Sequence, residues 1–262
     1  KVSPPKLYDL TSLQREANRY FGYTAKRTLD MLQELYEEKL VTYPRTDSQY
    51  LTEDMEQTAR NVVRQIYEKY QLTGPFDQPE QPDVKKVMNN SKVTDHHAII
   101  PTMELASCHL DELKSWEEKI LFLIAVHTVM AMSKEHVYQE TEIEVECQGE
   151  IFKAKGKTVL QDGWKLFENC FKNKDRMAIV DPDQEMKEKI PKVTQGQTFY
   201  AVAAEKTEHF TSPPKPYSED TLLAAMETAG NKEFDEDTEK KGLGTPATRA
   251  GIIEKLIYSQ YA

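Results

Sequence analysis

The stretch LTSLQREANRYFGYTAKRTLDMLQELYEEKLVTYPRTDS, residues 10–48, has the pattern of two helices followed by a short extended segment. Thr11 and Gln14 fit an N-terminal capping box of the first helix, and Gly22 stands where a C-terminal cap is expected. Thr24 fits the N-cap of the second helix, whose apolar stripe consists of Ala25, Leu29, Leu32 and Leu35. The spacing therefore predicts a helix–turn–helix unit, after which Pro44 prevents a continuous helix or strand.

The next part of the chain also has a helical pattern. Thr52 is the predicted start of a third helix, which ends before Gly74-Pro75. Residues 75–92 are rich in Pro, Asp, Gln and Asn, and this composition predicts a long surface loop. A strongly apolar helix is predicted over residues 111–132. The helical region is thus expected to end near residue 135.

From residue 136 the period of the apolar residues changes to two, which is typical of strands. Gln148-Gly149 fits the two-residue turn of a β-hairpin. Further strand character lies at residues 177–180, 193 and 199–204. Helical patterns return at Ser218, a fitting N-cap, and at Thr245-Pro246, which fit an N-cap and the first helical position. The patterns together predict an α+β fold.

The charge of the chain at first argues against a nucleic-acid partner. The 262 residues carry 34 Lys and Arg against 44 Asp and Glu, a formal net charge of −10, whereas proteins that neutralise phosphates are usually basic. However, residues 1–73 hold 11 basic and 11 acidic residues, so the whole excess of acidic residues lies in residues 74–262. The overall charge therefore does not decide the matter.

Cysteine spacing and apolar runs exclude two other classes of protein. Cys108, Cys147 and Cys170 are far apart and predict free thiols, with neither a disulfide framework nor a zinc site. The longest apolar run, residues 120–132, is shorter than the ~20 residues that a membrane span needs. We therefore expect a soluble globular protein with no membrane association.

The densest group of reactive side chains is the tyrosine motif, residues 43–48. A tyrosine hydroxyl, with a pKa of about 10, becomes a useful nucleophile only beside a cation that stabilises the developing charge. In an extended segment Arg45 points to the same side as Tyr43, and its planar fork suits two phosphodiester oxygens. Asp47 keeps the same period and is expected to hold Arg45. The alternative is a surface loop with a packed tyrosine and a surface ion pair.

A second group is the histidine motif, residues 95–102, which contains His96 and His97. Adjacent histidines serve in metal binding, proton transfer or phosphate contact. Neighbouring side chains point in different directions and no third ligand is apparent, so a shared metal is not expected. The alternative is a structural pair of histidines.

The two motifs together resemble the type IA DNA topoisomerases, most closely the topoisomerase III branch. The resemblance rests on four stretches in the family's order, namely residues 4–14, 40–48, 95–102 and 242–253. The family's active-site motif is Tyr, one variable residue, Arg, Ser or Thr, then Asp, and residues 43–47 match it. The β segment contributes little to this resemblance.

The resemblance implies a role for each matching residue. Tyr43 would attack a phosphodiester of single-stranded DNA, Arg45 would stabilise the transition state, and His96 would contact the phosphate near the scissile bond. His97 would be its neighbour, although a shift by one residue is an alternative. The further implied DNA contacts are Asp47, Ser48, His97, Thr102, Gly244, Thr245, Thr248 and Arg249.

The resemblance also implies three domains. Residues 10–135 would form the helical tyrosine domain with a helix-turn-helix or winged-helix-like unit. Residues 1–9 and 136–212 would form a β-rich arch, and residues 213–262 a partial helical domain that binds DNA. We expect the chain to be a piece of a longer protein whose Toprim domain, which is not recognisable here, binds Mg²⁺. No metal site is expected in this chain itself.

The resemblance implies an ATP-independent isomerase that acts on single-stranded DNA. A RecQ-type helicase partner, a monomeric state and a cytoplasmic, nucleoid-associated location are further expectations. One alternative is a non-catalytic module that binds single-stranded nucleic acid. Another is a tyrosine recombinase or relaxase, neither of which accounts for both motifs together.

Overall fold

The computed structural model describes residues 1–72, 82–174, 191, 193–200, 203, 205–230 and 242–261. This part of the chain contains seven α-helices and one antiparallel sheet of two strands. The elements in chain order are α1 (Leu10–Phe21), α2 (Ala25–Glu37), α3 (Glu56–Tyr70), α4 (Ser115–Ala131), β1 (Val137–Cys147), β2 (Glu150–Gln161), α5 (Lys165–Lys174), α6 (Glu219–Thr228) and α7 (Pro246–Tyr258). The mixture of helices and a sheet agrees with the predicted class.

The helix–turn–helix unit is present, but the predicted first cap is wrong. The N-cap of α1 is Asp9, whose carboxylate accepts a hydrogen bond from the Ser12 backbone nitrogen at 2.7 Å. The Ser12 hydroxyl in turn accepts one from the Asp9 nitrogen at 3.1 Å. Thr11 and Gln14 lie inside the helix and are buried, because this face of α1 packs into the core.

The turn between α1 and α2 agrees with the prediction. Gly22 has a left-handed backbone, φ +68°, and caps α1, and Thr24 accepts a hydrogen bond from the Arg27 nitrogen at 3.2 Å. The third helix differs at its start. A short 3₁₀ turn, Glu53–Met55, follows Thr52, and α3 begins only at Glu56.

Two predicted boundaries in the helical region change because buried apolar side chains fix the chain there. Residues 75–81 of the predicted surface loop lie outside the described residues, but the following segment carries two 3₁₀ turns and buries Val84 and Val87. The apolar helix α4 starts at Ser115, not at residue 111. It contacts α2, α3 and α5 and is buried along most of its length. This explains its uniformly apolar sequence.

The predicted hairpin is confirmed. Gln148 and Gly149 both have positive φ, +51° and +86°, which the tight turn between β1 and β2 requires. The strands are mostly exposed, and the pair Lys155–Glu142 spans them at 3.3 Å. Of the other predicted strand residues, 193, 199, 200 and 203 have no regular structure, because no partner strand lies beside them in the described chain. Residues 201, 202 and 204 lie outside the described residues. Residues 177–180 lie outside the described residues.

The chain divides into two compact units. One consists of Lys1–His136, Asp162–Ile179 and Tyr217–Ala262, and the other of Val137–Gln161 and Val180–Pro216. The first nine residues and α5 thus belong with the helices, whereas the predicted boundaries put both in the arch. The reason is packing: Val2 pairs with His136, and Leu7 and Tyr8 are buried in the core.

Two further observations bear on the expected class of protein. Within the described residues, no helix has both the length and the apolar character that crossing a bilayer requires. Cys108 and Cys147 are free thiols. The side chain of Cys170 lies outside the described part.

Candidate active site

The tyrosine motif and the histidine motif are brought together by backbone hydrogen bonds. The Thr42 nitrogen donates to the Ile100 carbonyl at 3.0 Å, and the Ala98 nitrogen donates to the Tyr50 carbonyl at 2.9 Å. The Thr42 hydroxyl also donates to the Ala98 carbonyl at 3.0 Å. Two segments that are some fifty residues apart in the chain therefore form one site.

The Tyr43 ring lies between two other aromatic rings. Its centroid is 4.2 Å from that of His96, with an angle of 39° between the planes. Tyr36, on α2, meets Tyr43 edge-on at 5.5 Å. Tyr43 is half-buried and His96 is exposed, so the two neighbours restrict the Tyr43 ring at an accessible site.

Thr46 links the motifs and was not among the residues predicted for the site. Its side chain is 3 % exposed, and its hydroxyl donates to the His96 carbonyl at 2.9 Å while accepting from the Ser48 nitrogen at 3.1 Å. Its carbonyl accepts from the first residue of α1, Leu10, at 3.0 Å. In an extended segment, successive side chains point to opposite sides, so Thr46 points away from the side of Arg45 and Asp47. This alternation was the signal that the sequence offered for Thr46.

Arg45 and Asp47 are both exposed, as expected for the solvent side of the tyrosine motif. The expected pairing between them is absent: within the described part of the chain, no ion pair within 4.0 Å includes either side chain. Because water solvates both exposed side chains, an ion pair between them would add little stability. The Arg45 guanidinium is therefore available to an anion.

The two histidines have different surroundings. His96 faces Tyr43, whereas His97 is half-buried and its Nδ1 donates to the Ala98 carbonyl at 2.9 Å. This difference favours His96 over the alternative that shifts the motif by one residue.

Ser48 and Thr102, both predicted DNA contacts, use their hydroxyls within the fold. Ser48 is 4 % exposed and donates to the Lys92 carbonyl at 2.9 Å. Thr102 donates to the Lys39 carbonyl and accepts from the Glu104 nitrogen at 3.2 Å, which caps a 3₁₀ turn. Since their polar atoms are engaged in this way, we leave both out of the proposed DNA contacts.

The predicted DNA contacts around the start of α7 also differ in exposure. Gly244, Thr245 and Thr248 are exposed, and the two threonines form the capping box of the helix. Arg249 is instead 3 % exposed and donates to the Thr11 hydroxyl at 3.0 Å. Burial removes Arg249 from the predicted DNA contacts, because its guanidinium is directed to α1.

A buried cluster of titratable groups lies apart from these motifs. His127 stacks on Tyr8 with 3.7 Å between ring centroids, and its Nε2 donates to the Lys6 carbonyl at 2.7 Å. Burial lowers the pKa of His127, against the effect of Glu16, whose carboxylate lies 3.7 Å from Nδ1. Burial and Glu16 raise the pKa of Tyr8. These groups join the N-terminal segment to α1 and α4.

Comparison with known proteins shows the family to which the chain belongs. The family model described as DNA topoisomerase matches residues 1–262, so the chain belongs to the DNA topoisomerase family. The chain is 40 % identical to DNA topoisomerase 3 of Bacillus licheniformis over 274 residues and to that of Bacillus subtilis over 271. These matches cover 98 % and 99 % of the chain but 36 % of each relative. The resemblance to topoisomerase III is thereby confirmed.

A solved structure supports the fold. Full-length topoisomerase I from Thermotoga maritima matches 98 % of the chain and 38 % of its own length, with a TM-score of 0.62 and 22 % identity. At this identity the match concerns the fold alone.

The residues described here do not fit the magnesium ion that the family implies. Within the described ranges, no group of three or more His, Cys, Asp or Glu side chains is arranged to hold a metal ion. The acidic residues near the tyrosine motif, such as Asp47 and Asp95, are exposed single carboxylates.

Proposed function

We propose that this chain is the central, tyrosine-bearing part of a type IA DNA topoisomerase that cuts and reseals one DNA strand without ATP. The Tyr43 oxygen attacks the phosphorus of a single-stranded phosphodiester. The new bond joins Tyr43 to the 5′ phosphate, and the bond from phosphorus to the 3′ oxygen breaks. The tyrosine proton is lost and the leaving oxygen gains a proton as a 3′ hydroxyl. The reverse attack reseals the strand, and the conserved bond energy explains why no ATP is needed.

The observation that carries this proposal is the approach of Tyr43 to His96. Two residues after Tyr43, Arg45 is exposed and forms no ion pair within the described part of the chain. Phosphoryl transfer needs an in-line nucleophile and positive charge around the equatorial oxygens. Arg45 supplies a bidentate donor for two of these oxygens, and His96 donates to the phosphate. Tyr36 and His96 together limit the orientations of the Tyr43 ring, which reduces the entropic cost of alignment.

The parts of the chain then have separate roles. The region around Tyr43 carries the chemistry. The unit of Val137–Gln161 and Val180–Pro216 acts as the arch that allows this region to move while a second strand passes. Gly244, Thr245, Thr248 and Asp47 contact the single strand. In the whole protein, Mg²⁺ is held by acidic residues of a Toprim domain. The protein acts as a monomer in the cytoplasm, close to the nucleoid, with a RecQ-type helicase as partner.

The experiment is a covalent trap with labelled single-stranded DNA and the full-length protein. We expect a DNA–protein adduct from the wild type and none from Tyr43→Phe, which keeps the ring contacts and removes the nucleophile. Tyr36→Phe is the matched control, because its ring touches Tyr43, and it should retain the adduct. An adduct that survives Tyr43→Phe overturns the proposal. A chain that binds single-stranded DNA but never forms an adduct is a binding module instead.

The 262-residue chain gives a second test. Because its described residues do not fit a metal, we expect it to form no efficient adduct with Mg²⁺ present. An adduct from this chain alone would contradict the proposed division of roles.

A further inference from the structure

The contact between α6 and α1 is built around a single carboxylate. Asp220 accepts hydrogen bonds from Arg15 Nε at 2.8 Å and from Arg19 Nη2 at 2.9 Å. Its backbone nitrogen donates to Asn18 Oδ1 at 3.1 Å. Asp220 is 8 % exposed, while the two arginine side chains remain 31 % and 46 % exposed. Water therefore reaches both arginines and can solvate them when they separate from Asp220.

A second carboxylate, on the preceding residue, makes the contact with α2. Glu219 Oε2 accepts a hydrogen bond from the Ala25 nitrogen at 2.6 Å. Ala25 is the first residue of α2, so its N–H has no acceptor within the helix. A carboxylate at this end of a helix is also favoured by the helix dipole. Glu219 thus closes the N-terminus of a helix that lies almost two hundred residues away in the chain.

The apolar part of this contact is small. The buried cluster of α6 and α7 contains Leu223, Met226, Ala250 and Ile253, and from α1 or α2 only Ala25 joins it. Interfaces that are polar and poor in apolar contact are typical of parts that move relative to each other. Separation here would expose charged groups that water solvates well and leave little apolar surface uncovered.

The same helices are joined directly to the tyrosine motif. The Leu10 nitrogen, at the start of α1, donates to the Thr46 carbonyl at 3.0 Å, and α2 ends shortly before Tyr43. A displacement of α1 and α2 from α6 therefore carries Tyr43 with it.

We infer that Glu219 and Asp220, with Arg15 and Arg19, form a polar latch that holds the Tyr43-bearing helices against α6 and releases them for strand passage. This rests on the proposed function. The latch opens by exchanging its hydrogen bonds for water, and ionic strength shifts it because its ion pairs are partly exposed.

Hydrogen exchange at two backbone amides of α2 distinguishes opening of the latch from unfolding of the helix. The Ala25 N–H is protected by Glu219, whereas the Thr28 N–H donates to the Thr24 carbonyl within α2, at 2.9 Å. In residue-resolved hydrogen exchange of the chain, we expect Asp220→Asn to speed exchange at Ala25 about tenfold and at Thr28 less than twofold. Raising NaCl from about 0.05 to 0.5 M should speed exchange at Ala25 by a similar factor in the wild type. In Asp220→Asn the added salt should change the exchange rate at Ala25 little.

Arg19→Gln is the second variant, since its exposed side chain leaves the core unchanged, and it should also speed exchange at Ala25. Glu144→Gln, which removes an exposed pair with Lys153 in the hairpin, should change neither amide. Equal changes at Ala25 and Thr28, or no change at either, overturn the latch.

The final arm uses the full-length protein. Asp220→Asn should leave the yield of the Tyr43 adduct within twofold and raise the rate of DNA relaxation about threefold at low salt, because release becomes easier. An unchanged relaxation rate overturns the role in strand passage. Loss of the adduct in Tyr43→Phe, or its persistence, tests the proposed chemistry separately, while the exchange measurement needs no DNA at all.

Discussion

Arg249 Nη1 donates a hydrogen bond to Thr11 Oγ1 across 3.0 Å, although 238 residues separate the two in the chain. Arg249 also donates from Nε to the Leu243 carbonyl at 3.1 Å. With 3 % exposure, this guanidinium is part of the contact between α7 and α1. The resemblance to the family implied a DNA contact at this position, and the structure gives it a supporting role instead.

Arg249→Met should therefore lower the free energy of unfolding and leave DNA binding nearly unchanged. Hydrogen bonds from a charged donor contribute about 2 kcal/mol, and the methionine keeps most of the apolar stem. Urea denaturation measures the first effect, and fluorescence anisotropy with single-stranded DNA the second. A large loss of DNA affinity at unchanged stability would return Arg249 to the DNA contacts.

Arg45→Ala should reduce the yield of covalent adduct at least tenfold in the full-length protein. The exposed guanidinium has no carboxylate partner in the described chain and is the charge nearest along the chain to Tyr43. Removing a donor from a developing anion typically costs about 3 kcal/mol. Arg27→Ala is the control, because Arg27 is exposed and contacts the Tyr23 ring, away from the tyrosine motif. Equal losses in both variants would indicate a general loss of DNA affinity.

The stability of the chain should fall as the pH decreases below about 6.5, the ordinary pKa of histidine. Burial lowers the pKa of His127 in the folded state, so the unfolded chain binds more protons in this range. The stabilisation is complete above the unfolded pKa and is lost as the pH falls towards the folded pKa. One such group contributes a slope of up to about 1.4 kcal/mol per pH unit.

Urea denaturation at pH 7.5, 6.5 and 5.5 measures this slope. His127→Gln should flatten it, because the glutamine amide can donate to the Lys6 carbonyl but does not titrate. His109→Gln, at an exposed histidine, should leave it unchanged. Identical slopes in all three proteins would assign the pH dependence to other groups.

Gly163→Ala should destabilise the first unit strongly. Its φ is +54°, and an added Cβ would lie 2.2 Å from the Glu135 carbonyl oxygen, which is backbone and cannot turn away. Gly149→Ala is the matched control, since φ is also positive, +86°, but nothing lies within 4 Å. We expect about 1 kcal/mol for the control, from backbone strain alone, and at least about 3 kcal/mol for Gly163→Ala. Thermal melts compare the two, and similar values would contradict the close approach.

Local signals in the sequence predicted local structure well. Gly22 and Thr24 cap their helices, and Gln148-Gly149 turns the hairpin, because a cap or tight turn depends on residues that are neighbours in the chain. The predicted N-cap of α1 was wrong. Asp9 and Ser12 form the capping box, whereas Thr11 and Gln14 lie inside α1 on the face that packs into the core.

The sequence by itself determined the motifs to which we assign the proposed chemistry, since Tyr43, Arg45 and His96 are recognisable from residue types and spacing alone. The tertiary structure decided which neighbours have free side chains. It joined the two motifs through Thr46, buried Ser48 and Arg249, and set α6 against α1 through Asp220. Spacing defines which residues can act together, but burial and pairing depend on contacts between distant parts of the chain, which no local pattern encodes.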